Sequence, residues 1–371
     1  PIIMLINRSP TLITNRLLLL LSILSPSSSS SSLRRRRHHN RSCSSDSSSS
    51  SSGLDINKNN FRRRRRGTTT TILKSSSSSS STTKTRNTMK KIDAHLHVWP
   101  SSNEYTYEDE SKIPTISGRV ELLLDEQLKA NVEGAMIVQP INLGFDHTYV
   151  QNAIVKYKGK FVGCCLVNGE EGASEILSEK LLVPNGVFKA VRFNPALFPE
   201  DRNGRKMTNA EGKKMFKLCG ERNALVGFMC FHGIDKSYDE ICELCREFPS
   251  TRVMIDHFGF AKSTSDKNWQ KILDLSKFPQ VYIKLSAQFR VCPENVKVEF
   301  PYESTFPQVV DLLQHFGASR LMWGSDYPFV KNECGYENAS KIVEMNDFLT
   351  EEDKEMIFSG TIQRVFPDSF F

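Results

Sequence analysis

Strand-like and helical segments alternate after residue 90, and this order predicts an α/β fold, a (β/α)8 barrel in a single domain. Each strand-like run is rich in Val, Ile, Leu or Phe and is followed by polar residues, Gly or Pro. No G-x-G-x-x-G pattern follows the first run, which disfavours a doubly wound open sheet as the alternative. The eight predicted strands lie at 91–97, 134–139, 161–167, 187–193, 225–232, 252–257, 281–285 and 321–324.

The clearest helical spacing lies between the last two predicted strands. Phe306, Val309, Val310 and Leu313 recur at the i, i+3, i+4, i+7 interval of one helix face. Gly317 follows, and glycine is common just after the end of a helix. The sequence therefore predicts a helix that begins near residue 306 and ends before Gly317.

Residues 1–88 differ in composition from the remainder of the 371-residue chain. They hold 16 Lys and Arg against two acidic residues, a charge of +14 within a total of +7, so residues 89–371 carry −7. A nucleic-acid partner for the predicted barrel is therefore disfavoured. No apolar run reaches the roughly 18–20 residues that a membrane span needs, so we expect no membrane partner either.

Runs of Ser, Thr and Arg dominate the N-terminal segment and cannot bury enough apolar surface to fold. We expect residues 1–88 to be a disordered targeting segment, because a Ser- and Arg-rich, acid-poor N-terminus is typical of transit peptides. A chloroplast or other plastid is the expected location, with the mitochondrion as the alternative. Three other interpretations stay open: a signal-peptide core at 17–24, a basic nuclear or nucleic-acid patch, and translation from Met89, which would leave a cytoplasmic protein.

Four histidines and one aspartate fall where predicted strands end, the edge at which barrel enzymes carry their chemistry. His95 and His97 are two residues apart on the first strand, so their side chains project from the same face. Such a pair can chelate a divalent metal or donate two hydrogen bonds to one oxygen. The other positions are His232, His257 and Asp326, at the ends of the fifth, sixth and eighth predicted strands. Separately buried core histidines are the weaker alternative.

Four motifs, taken together and in strand order, resemble one known family. They are Asp-Ala-His-Leu-His at 93–97, Asp-His-Phe-Gly at 256–259, Val-Tyr-Ile-Lys-Leu-Ser at 281–286 and Gly-Ser-Asp-Tyr-Pro at 324–328. From about residue 90 to its C-terminus the chain resembles the amidohydrolase superfamily, in its amidohydrolase-related branch. The strand at 281–286 is similar to the sub-branch of 2-pyrone-4,6-dicarboxylate lactonase and sugar lactonases.

This resemblance implies two alternative uses of the same residues. In metal-dependent relatives the residue at the position of His257 assists the attacking water or the substrate, and the metal is held at the positions of His95, His97, His232 and Asp326. In the lactonase sub-branch no metal is implied, and Asp326 acts as general base on water. The lactone carbonyl is then polarised by His95, His97 and His232. The expected cofactor is therefore none or one divalent metal, zinc or manganese.

Three further polar residues near strand ends are candidates for substrate binding. Arg192 is placed to hold a substrate carboxylate in a bidentate pair, and its alternative is an ion pair with a barrel carboxylate. Gln139 can hydrogen-bond the substrate or act as a structural polar plug. Arg290 is an anion-binding candidate or, alternatively, a solvated surface charge. Lys284 lies within a predicted strand and is expected to need a carboxylate partner if it is buried.

We therefore expect a hydrolase that opens a small, anionic lactone with water activated by Asp326. The first alternative is a decarboxylase with one metal on the same barrel, and the second is a small-molecule binding protein without catalysis. The expected partner is a small-molecule substrate. A homodimer is the assembly expected on general grounds.

Overall fold

The computed structural model describes residues 89–370, so the predicted targeting segment at 1–88 lies outside the described residues. Eight parallel strands follow one another in sequence order around one sheet. All eight predicted strands are present, which confirms the predicted (β/α)8 barrel. They are β1 (Lys91–Leu96), β2 (Val132–Val138), β3 (Phe161–Leu166), β4 (Phe188–Phe193), β5 (Leu225–Phe228), β6 (Arg252–Ile255), β7 (Val281–Ser286) and β8 (Leu321–Gly324).

Hydrogen bonds between the first and last strands bring the sheet close to a closed barrel. The backbone N–H of His97 donates to the Tyr327 carbonyl at 2.7 Å, and that of Asp326 donates to the His95 carbonyl at 2.8 Å. A parallel bridge joins Leu96 to Tyr327 at the same place. We call these contacts between the ends of β1 and β8 the seam. The seam holds the residues at the two strand ends side by side.

Helices connect successive strands, as the alternation in the sequence predicts. The predicted helix at 306 is present, and its last turn is closed by a hydrogen bond from the Gly317 N–H to the Leu313 carbonyl at 2.9 Å. Among residues 89–370, none of the helices is both long and apolar enough to cross a membrane. The α-helices are α1 (Val120–Ala130), α2 (Thr148–Lys156), α3 (Ala173–Ile176), α4 (Ala210–Glu221), α5 (Tyr238–Glu247), α6 (Trp269–Asp274), α7 (Gln288–Val291), α8 (Phe306–Phe316), α9 (Tyr336–Ala339), α10 (Glu351–Glu355) and α11 (Thr361–Val365).

Alternate strand residues face two different cores, because successive side chains of a strand point to opposite sides. One set contains apolar residues from every strand and fills the barrel, where it packs against Ile362, Val365 and Phe366. The other set packs against the surrounding helices. Because the barrel interior is filled, polar groups collect at the C-terminal ends of the strands.

The fifth strand is shorter than predicted. β5 ends at Phe228, whereas the sequence predicts a strand that continues to residue 232. A tight turn follows, in which the Gly233 N–H donates to the Cys230 carbonyl at 2.8 Å. Gly233 has a φ of 88°, which a residue with a Cβ adopts only at a steric cost. The turn takes Phe231 and His232 out of the strand.

The buried carboxylate of Asp93 accepts hydrogen bonds from both sides of the seam, at the ends of β1 and β8. Its Oδ1 accepts hydrogen bonds from the backbone N–H groups of His95 and Ser325, both at 3.0 Å. Its Oδ2 accepts one from the Tyr336 hydroxyl at 3.0 Å. Burial raises the pKa of Asp93 to about 6, although these hydrogen bonds act in the opposite direction. Asp93 therefore has a structural role beside the catalytic candidates.

We expect Tyr336→Phe to lower the free energy of unfolding by about 1–3 kcal/mol, because it leaves a buried carboxylate oxygen without its donor. Tyr327→Phe is the matched control. The Tyr327 side chain is equally buried, but its hydroxyl has no hydrogen-bond partner among the described residues. Urea unfolding should therefore show little loss, or a gain, for Tyr327→Phe. Equal losses in the two variants would contradict the role assigned to the Tyr336–Asp93 hydrogen bond.

Candidate active site

The mouth of the barrel gathers three of the predicted residues around one point. The Nε2 atoms of His95 and His97 are 3.3 Å apart. Asp326 Oδ1 lies 3.9 Å from Nε2 of His95 and 3.6 Å from Nε2 of His97. All three side chains are buried. The two-residue spacing at the end of β1 and the seam with β8 together produce this arrangement.

The backbone is strained where these side chains enter the site. Asp326, after β8, has a φ of 61°, and His257, after β6, has a φ of 50°. Ala287, after β7, has a φ of 52°. Residues other than glycine rarely adopt this left-handed conformation, and they keep it only where the surrounding structure holds them. At Asp326 the bond from its N–H to the His95 carbonyl supplies that restraint.

One hydrogen bond fixes which nitrogen of His97 faces the cluster. Its Nδ1 lies 2.8 Å from the Val138 carbonyl at the end of β2. A carbonyl oxygen can only accept, so Nδ1 carries the proton of the neutral ring. The Nε2 lone pair of His97 is therefore directed towards His95 and Asp326.

Asp256, which follows β6, is the centre of a buried ion-pair network. Its Oδ1 lies 2.9 Å from Lys284 Nζ and 3.3 Å from His95 Nδ1. Its Oδ2 accepts hydrogen bonds from Arg192 Nε and Nη2 at 3.2 and 3.1 Å. Burial acts to raise the pKa of Asp256, but Lys284, His95 and Arg192 outweigh it and hold the pKa well below its usual range.

This network contains two of the predicted residues. Arg192 directs its guanidinium group to Asp256, so the structure shows the ion pair with a barrel carboxylate. Lys284 is buried in β7 and has the carboxylate partner that it is expected to need. Both cations are paired with Asp256, and the binding of a substrate carboxylate by Arg192 stays a prediction.

Arg290, on α7, pairs with Asp326. Its Nε donates to Asp326 Oδ2 at 3.0 Å, and its guanidinium carbon lies 4.8 Å from the ring centre of Phe329. Burial acts to raise the pKa of Asp326, but Arg290 and His257 outweigh it, and the pKa lies well below its usual range. The side chain of Arg290 is only 22% exposed. The solvated-charge interpretation of Arg290 is therefore wrong, whereas its binding of a substrate anion stays a prediction.

His257 completes the buried group of histidines. Its ring centre lies 4.4 Å from that of His95, and its Nδ1 lies 2.8 Å from Ser286 Oγ. Burial lowers the pKa of His257 to about 4, so the ring is neutral at pH 7. A neutral imidazole offers one hydrogen-bond donor and one acceptor.

Two predicted site residues are not brought into the cluster. His232 is exposed in the turn after β5, where its ring contacts that of Phe231 at 5.4 Å. Its predicted position beside the other histidines is wrong because β5 ends four residues early. Gln139 is buried and donates from Nε2 to the carbonyls of Gly144 and Asp146 at 3.2 and 2.8 Å. These bonds fit the polar-plug interpretation, while Oε1 of Gln139 has no hydrogen-bond partner among the described residues, so its contact with a substrate stays a prediction.

Half-buried aromatic rings beside the cluster were missed by the motif reasoning. The ring of Phe329 lies 5.9 Å from His97 and 5.6 Å from Trp99. The ring of Phe260 lies 5.1 Å from His257. Phe260 and Phe329 each follow directly on a quoted motif, which is the one sequence signal that could have found them.

The three clustered ligand atoms fit a divalent metal by distance. A point equidistant from atoms that are 3.3, 3.6 and 3.9 Å apart lies about 2.1 Å from each, as in zinc bonds to imidazole and carboxylate. Three protein ligands with further positions open are typical of catalytic zinc sites. Among the described residues, His95, His97 and Asp326 therefore form a candidate metal site without the predicted fourth ligand.

Comparison with known protein families decides the relationship that the motifs suggest. The amidohydrolase family model matches residues 92–367. The chain belongs to the amidohydrolase family. The match covers nearly all of the described residues, so the whole barrel is the family domain.

Two known relatives of this amidohydrolase are named as lactone hydrolases. A 4-sulfomuconolactone hydrolase of Rhizobium radiobacter is 24% identical over 260 residues, which cover 69% of this chain and 80% of the relative. An L-fucono-1,5-lactonase of Burkholderia ambifaria is 34% identical over 89 residues, which cover 22% of this chain and 28% of the relative.

Solved structures share the barrel fold. A probable 2-pyrone-4,6-dicarboxylic acid hydrolase of Acinetobacter baumannii, with citric acid bound, has a TM-score of 0.61 at 22% identity and covers 75% of this chain and 99% of its own. An amidohydrolase of Burkholderia multivorans with bound zinc has a TM-score of 0.57 at 17% identity and covers 74% of this chain and 98% of its own.

We expect Arg192→Met to lower the free energy of unfolding by about 3 kcal/mol, because it removes one partner of a buried ion pair. Lys189→Met is the matched control, since Lys189 lies three residues earlier on β4 and points to the opposite face. It should cost less than about 0.5 kcal/mol. Urea unfolding measures both variants. A loss for Arg192→Met no larger than that of the control would mean that the ion pair does not stabilise the barrel.

Proposed function

We propose that this hydrolase opens a small, anionic lactone by adding water to the carbonyl carbon. The observation that carries the proposal is the buried carboxylate of Asp326. Its Oδ1 faces the Nε2 atoms of His95 and His97, while its Oδ2 is held by Arg290. The named activities of the relatives support the choice of a lactone as substrate.

Asp326 accepts the proton of the attacking water. Its low pKa keeps it ionised at physiological pH, so Oδ1 is available as a hydrogen-bond acceptor. A carboxylate with such a low pKa is a weak base, which suits an activated ester better than an unactivated amide. The water oxygen bonds to the carbonyl carbon as its proton passes to Oδ1. The ring C–O bond then breaks, and the leaving oxygen takes this proton from Oδ1 to become a hydroxyl group, which leaves Asp326 ionised for the next turnover.

Neutral imidazoles stabilise the negative charge that develops on the carbonyl oxygen. A hydrogen-bond donor aimed at that oxygen is effective in a buried site, where few water molecules compete. His97 cannot donate from Nε2 when its ring is neutral, because its Nδ1 holds the proton against the Val138 carbonyl. In this mechanism the donors are His95 and His257, each with its ring proton on Nε2, so that Ser286 Oγ donates to Nδ1 of His257. They replace the expected set of His95, His97 and His232.

Arg290 is the group that favours an anionic substrate. Arg192 and Lys284 are both paired with Asp256, whereas Arg290 uses only its Nε to hold Asp326. The Nη groups of Arg290 have no hydrogen-bond partner among the described residues. They can bind a substrate carboxylate while Nε continues to hold Asp326.

A divalent metal held by the same residues would provide an alternative to this chemistry, because the atoms that bind it would no longer be free to act as base and donor. When bound by His95, His97 and Asp326, it would act as a Lewis acid on the carbonyl and lower the pKa of a bound water. The same ligands also suit a decarboxylase with one metal. The reaction product separates the two reactions, since a decarboxylase releases carbon dioxide and leaves no ring-opened acid.

We expect Asp326→Asn to lower kcat at least about 100-fold on any lactone that the enzyme opens, because the amide cannot accept the proton of the water. Asp347→Asn, at an exposed position, is the control and should leave kcat unchanged. A suitable panel contains 4-sulfomuconolactone, L-fucono-1,5-lactone and 2-pyrone-4,6-dicarboxylate. Activity that survives in Asp326→Asn would exclude Asp326 as the base. Lactone binding without turnover in the unmodified protein would favour the binding-protein alternative.

We expect Arg290→Met to raise KM for an anionic lactone at least about tenfold more than for a neutral lactone of similar size. The loss of Arg290 also removes the ion pair with Asp326, and this affects both substrates. The ratio of the two KM values therefore measures the contact between Arg290 and the substrate anion. Steady-state kinetics with a carboxylated lactone and its methyl ester measure this ratio. An unchanged ratio would show that Arg290 does not bind the substrate anion.

A further inference from the structure

The direction of one chain of hydrogen bonds through the site can be read from its ends. At one end, His97 donates from Nδ1 to the Val138 carbonyl, so its Nε2 can only accept. That acceptor lies 3.3 Å from His95 Nε2. A hydrogen bond between the two rings therefore requires the proton to be on Nε2 of His95.

The other end of the chain imposes the same condition. Lys284 Nζ lies 3.0 Å from His95 Nδ1, and an ammonium group can only donate. His95 Nδ1 is then an acceptor, which again puts the ring proton on Nε2. Every donor then meets an acceptor in one series of hydrogen bonds. Lys284 donates to His95, His95 donates to His97, and His97 donates to the Val138 carbonyl.

Metal binding requires the opposite form of His95. A metal at Nε2 needs the lone pair there, so the ring proton must move to Nδ1 and be donated to Asp256 Oδ1, which lies 3.3 Å away. The lone pairs of His95 and His97 would then face each other at 3.3 Å, with the Asp326 carboxylate oxygen 3.6 and 3.9 Å away. Only a cation among them makes that arrangement favourable.

We propose that Lys284 is a positioning residue that fixes His95 with its proton on Nε2 and thereby lowers the affinity of the His95–His97–Asp326 site for divalent metals. The ammonium group of Lys284 contacts both groups involved, since it lies 2.9 Å from Asp256 Oδ1 and 3.0 Å from His95 Nδ1. A proton on His95 Nδ1, as metal binding requires, would therefore face the ammonium group at 3.0 Å, where two donors oppose each other. The inference concerns the metal affinity of the site and holds whichever lactone the enzyme opens.

The test is the zinc dissociation constant of the full chain, measured by competition with a chromophoric chelator, without any activity assay. Lys284→Met removes the ammonium group and should bind zinc at least tenfold more tightly than the unmodified protein. Arg192→Met is the matched control, because Arg192 also pairs with Asp256 but makes no contact with His95. The control should change the dissociation constant less than threefold.

A change of the same size in both variants would overturn the proposal, because it would reflect only the loss of a positive charge near Asp256. Unchanged or weaker zinc binding in Lys284→Met would also overturn it. Thermal melting establishes that each variant is folded before zinc is added.

A measurement on the unmodified protein covers the case in which Lys284→Met does not fold. Long-range proton–nitrogen NMR spectra of protein with labelled histidines distinguish a ring with its proton on Nε2 from one with its proton on Nδ1. The His95 signals are identified by their loss in His95→Gln. We expect the proton on Nε2 without zinc and on Nδ1 with saturating zinc. A proton on Nδ1 in the zinc-free protein would overturn the proposal.

Discussion

The buried carboxylate of Asp256 is the interaction on which the mouth of the barrel depends. It neutralises Arg192 from β4 and Lys284 from β7, and it lies against His95 at the end of β1. Without it, two cations would be left in a region from which water is excluded, at a cost of several kcal/mol for each unpaired charge. This network holds His95 in position, so the candidate site depends on Asp256, a residue outside the His95–His97–Asp326 cluster.

A second constraint sets the shape of the site. The seam between β1 and β8 places Asp326 beside the two histidines, and Asp93 holds that seam through bonds to His95, Ser325 and Tyr336. Asp326 also has a left-handed backbone conformation that an isolated chain would rarely adopt. Strain at this residue is thus maintained by hydrogen bonds that only the closed barrel provides.

The strand order and the meeting of His95, His97 and Asp326 could be predicted, because both follow from short-range periodicity and from the rule that chemistry lies at the strand ends. The position of His232 could not. His232 lies outside the cluster because β5 ends at Phe228. The turn that ends β5 contains a hydrogen bond from the Gly233 N–H to the Cys230 carbonyl, which a strand pattern in the sequence does not reveal.

The ion pairs of the long basic side chains could not be predicted from the sequence either. A buried Lys or Arg in a barrel strand, such as Lys284, is expected to pair with a carboxylate, but the sequence does not indicate which carboxylate. Arg192 and Lys284 share Asp256, whereas Arg290 takes Asp326. These pairings arise from strands and loops that are far apart in the chain, so local sequence patterns do not reveal them.

The most direct test of the account is the identity of the product that the unmodified full chain forms from a carboxylated lactone, followed by mass spectrometry. The account predicts an acid that has gained the mass of one water, with the water oxygen in the new carboxylate when the reaction is run in oxygen-18 water. Release of carbon dioxide, or label in the new hydroxyl group instead of the carboxylate, would contradict attack of water on the lactone carbonyl.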